Sequence, residues 1–385
     1  MMSRRSLIRR LVGLLWLVTL AFVPATDAQP PQRPMPPQMR ERMQEMQQQQ
    51  GQRPAQAPVP WVDVHLHLIG GRAPVLDYGG AIGAAIHEMD RFGIAIAIVM
   101  PPPQVDGQPL YDTSAFASML SRPRGRFAYL GGGGVLNPMI HRYADPAGVT
   151  DSVKRDFAAT AERIIADGAV GFGEMASLHI SAAPGHPYEF VPADHPLFLV
   201  LADVAAKRDV PIDLHMDAVE GETPTPPRFA GLANPPTLPD TMSGLARLLT
   251  HNPKTKIVWA HGGSDPIGAM TPAAISRLMD AHPNLFMSLR IVGAQAPMLN
   301  KVLADAGLDP GWRDLLTRHV DRFVIGTDSF MVSPSMTRRG PAATFAERNT
   351  PKLRATVHFL SLLPSDMARK IGRENAIRIY KLPAS

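Results

Sequence analysis

From Trp61 onward, short β-branched or apolar runs alternate with longer amphipathic stretches, and this alternation leaves few folds open. A strand that returns parallel to its predecessor needs a long crossover, usually a helix, so the pattern specifies a parallel α/β architecture. Eight runs read as strands: Trp61–His65, Ile94–Val99, Phe127–Gly131, Ala169–Gly173, Val210–Leu214, Lys256–Ala260, Asn284–Leu289 and Arg322–Gly326. Helical periodicity falls near Ala81–Phe92, Ser152–Asp167, Pro196–Arg208, Thr241–His251, Pro272–Ala281 and Pro297–Ala306, with terminal helices near Pro351–Leu362 and Pro364–Tyr380. Eight such units in 385 − 60 = 325 residues suit a (β/α)8 TIM barrel with extended loops. An open doubly wound sheet lacks support. No G-x-G-x-x-G follows the first run, and the four glycines at 131–134 are not followed by the Lys and Ser/Thr of a phosphate loop.

The first sixty residues have another character. Residues 1–28 combine Arg4, Arg5, Arg9 and Arg10 with an apolar run from Leu11 to Val23 and small residues around Ala25 and Ala28, the layout of a secretory signal peptide. The start Ser3-Arg4-Arg5-Ser6-Leu7-Ile8-Arg9 also resembles a twin-arginine export signal, with an ordinary Sec signal as the alternative. From Gln29 to Pro60, eight Pro and ten Gln fill 18 of 32 positions, too polar and stiff to form a core, and predict a disordered linker. The expected destination is periplasmic or secreted, with the membrane met only through the export signal.

Charge follows the same division. Residues 1–60 hold eight Arg against three acids, so the rest of the chain carries 39 − 8 = 31 basic and 34 − 3 = 31 acidic side chains and is neutral. A nucleic-acid partner, which calls for a basic stripe on the folded part, is therefore not expected. The absence of Cys excludes disulfides, thiolate-ligated zinc and thiol nucleophiles. Nothing in a neutral surface reports the oligomeric state.

In a parallel barrel the chemistry sits at the carboxyl ends of the strands. The first run closes Val62-Asp63-Val64-His65-Leu66-His67, where alternation places His65 and His67 on one face about 7 Å apart, within reach of one metal ion. The fourth run ends at Glu174, the fifth at His215, the sixth at His261 and the eighth at Asp328. Six metal-competent groups at five of eight strand ends point to a metal site. The other nine histidines, His141 and His179 among them, read as hydrogen-bonded structural residues. Arg290, just past the seventh run, is placed to bind a carboxylate or phosphate, with a surface ion pair as the alternative; Trp259 and Phe172 read as core packing.

This order of His-x-His, Glu, His, His and Asp resembles the amidohydrolase superfamily of metal-dependent barrels. The local wordings Trp259-Ala260-His261-Gly262-Gly263, Gly326-Thr327-Asp328 and Asn375-Ala376-Ile377-Arg378-Ile379-Tyr380-Lys381-Leu382 are most similar to its "family 2" branch, over roughly residues 61–382. The resemblance implies that His65, His67, His215 and Asp328 hold a divalent metal, usually Zn2+. It gives His261 either a second metal or the attacking water, and Glu174 either a bridge between two metals or an outer carboxylate. It further implies a hydrolase that uses a metal-activated water on a small-molecule ester, lactone, amide or phosphoester, with Asp328 and His261 catalytic. The alternative is non-oxidative decarboxylation of an aromatic or unsaturated acid. A non-catalytic exported metal- or ligand-binding barrel is a third reading, which would need neither His261 nor Asp328.

Overall fold

A computed structural model describes residues 57–72, 75–104, 112–336 and 341–383. The expected signal peptide, and the linker up to residue 56, lie outside the described residues.

The parallel strands are β1 (Trp61–Ile69), β2 (Ile94–Val99), β3 (Phe127–Tyr129), β4 (Gly131–Gly132), β5 (Phe172–His179), β6 (Pro211–Met216), β7 (Lys256–Gly262), β8 (Leu285–Leu289), β9 (Phe323–Ile325) and β10 (Ser329–Val332). Hydrogen bonding runs β3-β2-β1-β9-β8-β7-β6-β5-β4. The order thus begins and ends on two halves of one stretch, 127–132, the pairing of an eight-stranded parallel barrel. The finding is a mixed α/β fold around a mostly parallel sheet, as the alternation requires.

Around it lie α1 (Tyr78–Phe92), α2 (Leu136–Arg142), α3 (Asp151–Ala166), α4 (Pro196–Arg208), α5 (Met242–His251), α6 (Pro272–Ala281), α7 (Pro310–Arg318) and α8 (Pro341–Leu362). Three helices open on a side-chain cap followed by proline. His195, Thr271 and Asp309 accept from the backbone N–H of Leu197, Ala274 and Trp312, and Pro196, Pro272 and Pro310 occupy the first helical position, where no N–H is needed. The apolar residues of these helices and the outward residues of the strands form one core, with Trp61, Trp259 and Trp312 fully buried in it. A second core fills the barrel interior: Val62, Val64, Ile98, Leu130, Val258 and Val324 pack with Ile379 and Tyr380 of the C-terminal helix Asn375–Tyr380.

Within β1, Val62 and Val64 belong to the inner core, and Leu66 and Leu68 to the outer one. The change coincides with a pairing irregularity between Asp63 and Leu66 and turns His65 and His67 inward. Gly326 passes so close to β1 that an added Cβ would stand 2.9 Å from the Cβ of both His65 and Ser288, so glycine is required there.

Two expectations need correction. The fourth strand runs Phe172–His179 rather than Ala169–Gly173, so Glu174 lies near its start and not past its end. No helix forms over Pro297–Ala306. Leu303–Ala304 pairs antiparallel with Gly307–Leu308, and Asn300, at φ 48, donates to Asp265 and to the carbonyl of Gly268, so tertiary hydrogen bonds override the helical periodicity. The helix of that crossover is α7, which has no counterpart among the helices expected from periodicity. Beyond the eighth run, β10 continues along β1 with Leu66 opposite Ser329 and Ile69 opposite Val332. Asp328 sits in the break between β9 and β10, its amide donating to the His65 carbonyl.

Candidate metal centre and active site

All six groups converge. His65 Nε2 and His67 Nε2 stand 3.2 Å apart, and His215 Nδ1 lies 3.0 Å from His261 Nε2. Glu174 spans the two pairs: Oε2 is 3.5 Å from His65 and 3.4 Å from His67, while Oε1 is 2.7 Å from His215 and 3.2 Å from His261. Asp328 Oδ1 is 3.4 Å from His67 Nε2. Two overlapping triads, His65–Glu174–His261 and His65–His67–Asp328, bring their donor atoms within 4.8 Å of one another.

Two of these residues hold unfavourable backbone. His261 has φ 69 and Asp328 φ 51, a left-handed region that non-glycine residues seldom occupy. At His261 the pairing of β7 with β8 slips between Trp259 and Gly262, and the bulge re-aims the imidazole. Each outlier is worth roughly 1–3 kcal/mol of strain, which the fold sustains where a side chain must point into the site.

The donor set fits a cation. The Met100 carbonyl, 2.9 Å from His67 Nδ1, can only accept, so that nitrogen carries the proton. The Asp213 carboxylate, 3.2 Å from His65 Nδ1, fixes the same tautomer there. Both Nε2 atoms are then bare lone pairs facing each other, a repulsive arrangement unless a cation or proton lies between them. His261 Nδ1 is buried with no hydrogen-bond partner among the described residues. Burial pushes the Glu174 and Asp328 carboxyls up, but the surrounding imidazoles at Glu174, and Arg290 and His67 at Asp328, hold both well below the usual range. Both are therefore ionised. Burial and His215 press His261 down to about 4, leaving a neutral imidazole.

Several neighbours escaped the sequence reading. Asp63 and Asp213 each stand two residues before a site histidine, so alternation alone was a signal for them. Asp63 accepts from His65 N–H at 3.2 Å, from Thr327 N–H at 2.9 Å and from the Thr327 hydroxyl at 2.6 Å, tying β1 to the turn that carries Asp328. His179, read as structural, places its ring 4.4 Å from that of His215, edge-on, with a buried Nδ1 lacking a partner among the described residues. Arg290 reaches the site: Nη2 is 3.1 Å from Asp328 Oδ2. Trp259 and Phe172 are fully buried, as expected of core packing.

Beside the centre, Glu189 is buried against His179 of β5, accepts from Asn137 at 3.3 Å and lies 3.6 Å from His141. Desolvation pushes its carboxyl up to about 7. The folded state then holds a proton that the unfolded chain releases near the ordinary value, so stability falls as pH rises from about 4.5 to 7. Glu189→Gln is expected to remove this slope and add roughly 1–3 kcal/mol at pH 8. Melting temperatures of both proteins from pH 5 to 8 test this; parallel curves refute it.

Fold and donor set define a class, the α/β barrels with imidazoles and carboxylates gathered at one end of a parallel sheet. Within it the chain belongs to the amidohydrolase family, whose model Amidohydro_2 matches residues 62–382 and whose members are metal-dependent enzymes, hydrolases and decarboxylases among them. No curated protein matches the chain. Among solved structures, similarity extends to an organophosphorus hydrolase from Deinococcus radiodurans (15% identity, 86% of this chain and 93% of that one, TM-score 0.48). It extends also to a probable 2-pyrone-4,6-dicarboxylic acid hydrolase from Acinetobacter baumannii (11%, 84% and 100%, 0.48). A third is a dihydroxybenzoic acid decarboxylase from Polaromonas with bound manganese (15%, 85% and 98%, 0.45).

Proposed function

We propose that this chain is a metal-dependent hydrolase of a small-molecule ester, lactone, amide or phosphoester, with His65, His67, Glu174, His215 and Asp328 as metal ligands and His261 beside them. The observation that carries this reading is the division of Glu174 between the His65/His67 pair and the His215/His261 pair, a placement from which its carboxylate would serve a cation held by either pair. A divalent cation, Zn2+ by the family resemblance, would supply Lewis acidity and lower the pKa of water from about 15.7 towards 7. Asp328, ionised and next to His67, takes the proton of the attacking water and returns it to the leaving group. Neutral His261 would hold a second cation together with His215, or orient that water where one cation is bound. Arg290, against Asp328, receives an anionic group of the substrate.

Decarboxylation of an aromatic or unsaturated acid is the second reading, favoured by the same guanidinium, which suits a substrate carboxylate beside Asp328. We also propose export, on the strength of the arginine-rich leader alone. Elemental analysis of chain purified without chelator, followed by assay on a carboxylated lactone and a hydroxybenzoic acid, tests the reading. About two metals per chain with lactone opening supports it; about one metal with CO2 release moves the assignment to the lyase. Folded protein that holds no metal after zinc or manganese is added back overturns both.

A further inference from the structure

A cation that no strand-end pattern points to stands beside the centre. Asn349 of α8 pairs its carboxamide with the backbone of Phe330 in both directions, accepting from its N–H at 3.0 Å and donating to its carbonyl at 2.6 Å. This clamps α8 onto β10. Lys352, three residues later and so on the same face of the helix, donates its ammonium to the carbonyl of Asp328. The next turn is held as well, since the buried Thr356 hydroxyl donates to the Lys352 carbonyl at 2.9 Å.

The ammonium is under-used where it sits. It has three donors; one goes to the Asp328 carbonyl, and no carboxylate lies within ion-pair distance among the described residues. Arg290 is in a similar position, with Nη2 on Asp328 Oδ2 at 3.1 Å and a buried Nε that has no partner among the described residues. Arg290 thus holds a carboxylate that the proposed function already assigns to a metal, and Lys352 holds only the backbone carbonyl of the same residue. Both are partly exposed, and so open to a ligand. Between Lys352 and the centre stands Phe330, its ring 4.6 Å from the His67 ring and 6.0 Å from the Lys352 ammonium.

We propose that Lys352 is a substrate-binding residue that acts with Arg290 as a two-cation clasp for an oxyanion of the substrate, whose planar body lies against Phe330. This rests on the proposed function for the position of the substrate, but not for the chemistry done on it. A charge-neutral analogue would leave the two cations uncompensated at a site that also receives a divalent cation, so selectivity for anions follows from charge balance. A helix residue 24 positions beyond Asp328 thereby decides which substrates are accepted.

Binding to the full chain by calorimetry, with and without zinc, tests this independently of turnover. The probes are benzoate, phenyl phosphate and the neutral benzamide. Lys352→Met is expected to weaken the preferred anion tenfold to a hundredfold and to leave benzamide unchanged, and Lys352→Arg is expected to restore most of the loss. A larger effect on benzoate identifies a carboxylate site, and a larger one on phenyl phosphate a phosphate site. Lys352→Gln, read beside the melting temperature, serves if the methionine variant does not fold. Equal losses for anion and amide, or wild-type anion binding in the folded variant, would overturn the proposal by making Lys352 a cap for the Asp328 carbonyl. Failure to bind either anion in the wild type also overturns it. Absence of turnover with Lys352-dependent anion binding overturns only the proposed reaction.

Discussion

Alanine at both His65 and His67 is expected to bring metal content to below about a tenth of the wild-type value and to lower turnover by about a thousandfold or more, since removing the nucleophile's activation forfeits most of the catalytic advantage. The structure gives the double variant a second, separable effect. Asp213 loses the imidazole 3.2 Å away that offsets its complete burial, and Glu174 loses two of the four imidazoles around its oxygens. Leaving a buried carboxylate unpaired is worth roughly 3–5 kcal/mol, so the variant should also melt several degrees lower. Elemental analysis, circular dichroism and a thermal melt on one preparation separate the two effects. Retained metal with retained activity would refute the assignment, whereas lost activity with an unchanged melt and full metal would show that these histidines act on the substrate alone.

For Asp328→Asn the expected result differs in kind. The amide keeps the size of the carboxylate and can still face His67 and Arg290, but it cannot take a proton from water. The rate constant kcat should fall about a hundredfold to ten-thousandfold while KM changes little, the mark of an interaction made in the transition state. Metal content should drop only in part, because His65, His67, Glu174 and His215 remain. A steady-state comparison at matched metal loading decides this: an unchanged kcat with a raised KM would make Asp328 a binding residue only. Should both pH–rate limbs of the wild type persist in the asparagine variant, another group is the base.

Metal removal and acidification should act alike on this centre. Ligating imidazoles must be unprotonated to bind a cation, and in the metal-free protein His65 and His215 are raised, against the opposing effect of burial, by Asp213 and Glu174 at His65 and by Asp217 and Glu174 at His215. The same carboxylates that favour those protons favour a metal, so the two compete for one site.

Much of this was legible from residue order because it rests on local rules. The strand–helix alternation and the polar groups near five of the eight strand ends depend on neighbours a few positions away. The six converging groups could therefore be named from the chain itself. The His65–Asp213 contact joins residues 148 positions apart, and the Asp63–Thr327 contacts join residues 264 apart. Neither exists until the barrel closes and sets β1 beside β9 and β10, and both then fix tautomers and turns that no local pattern encodes. The left-handed backbone at His261 and Asp328 and the arrival of Lys352 from α8 belong to the same category. Residue order by itself determined which groups could do chemistry here. Tertiary pairing decided how they are aimed, because aim depends on register between strands distant in the chain, and register is settled only by the packing of the whole ring.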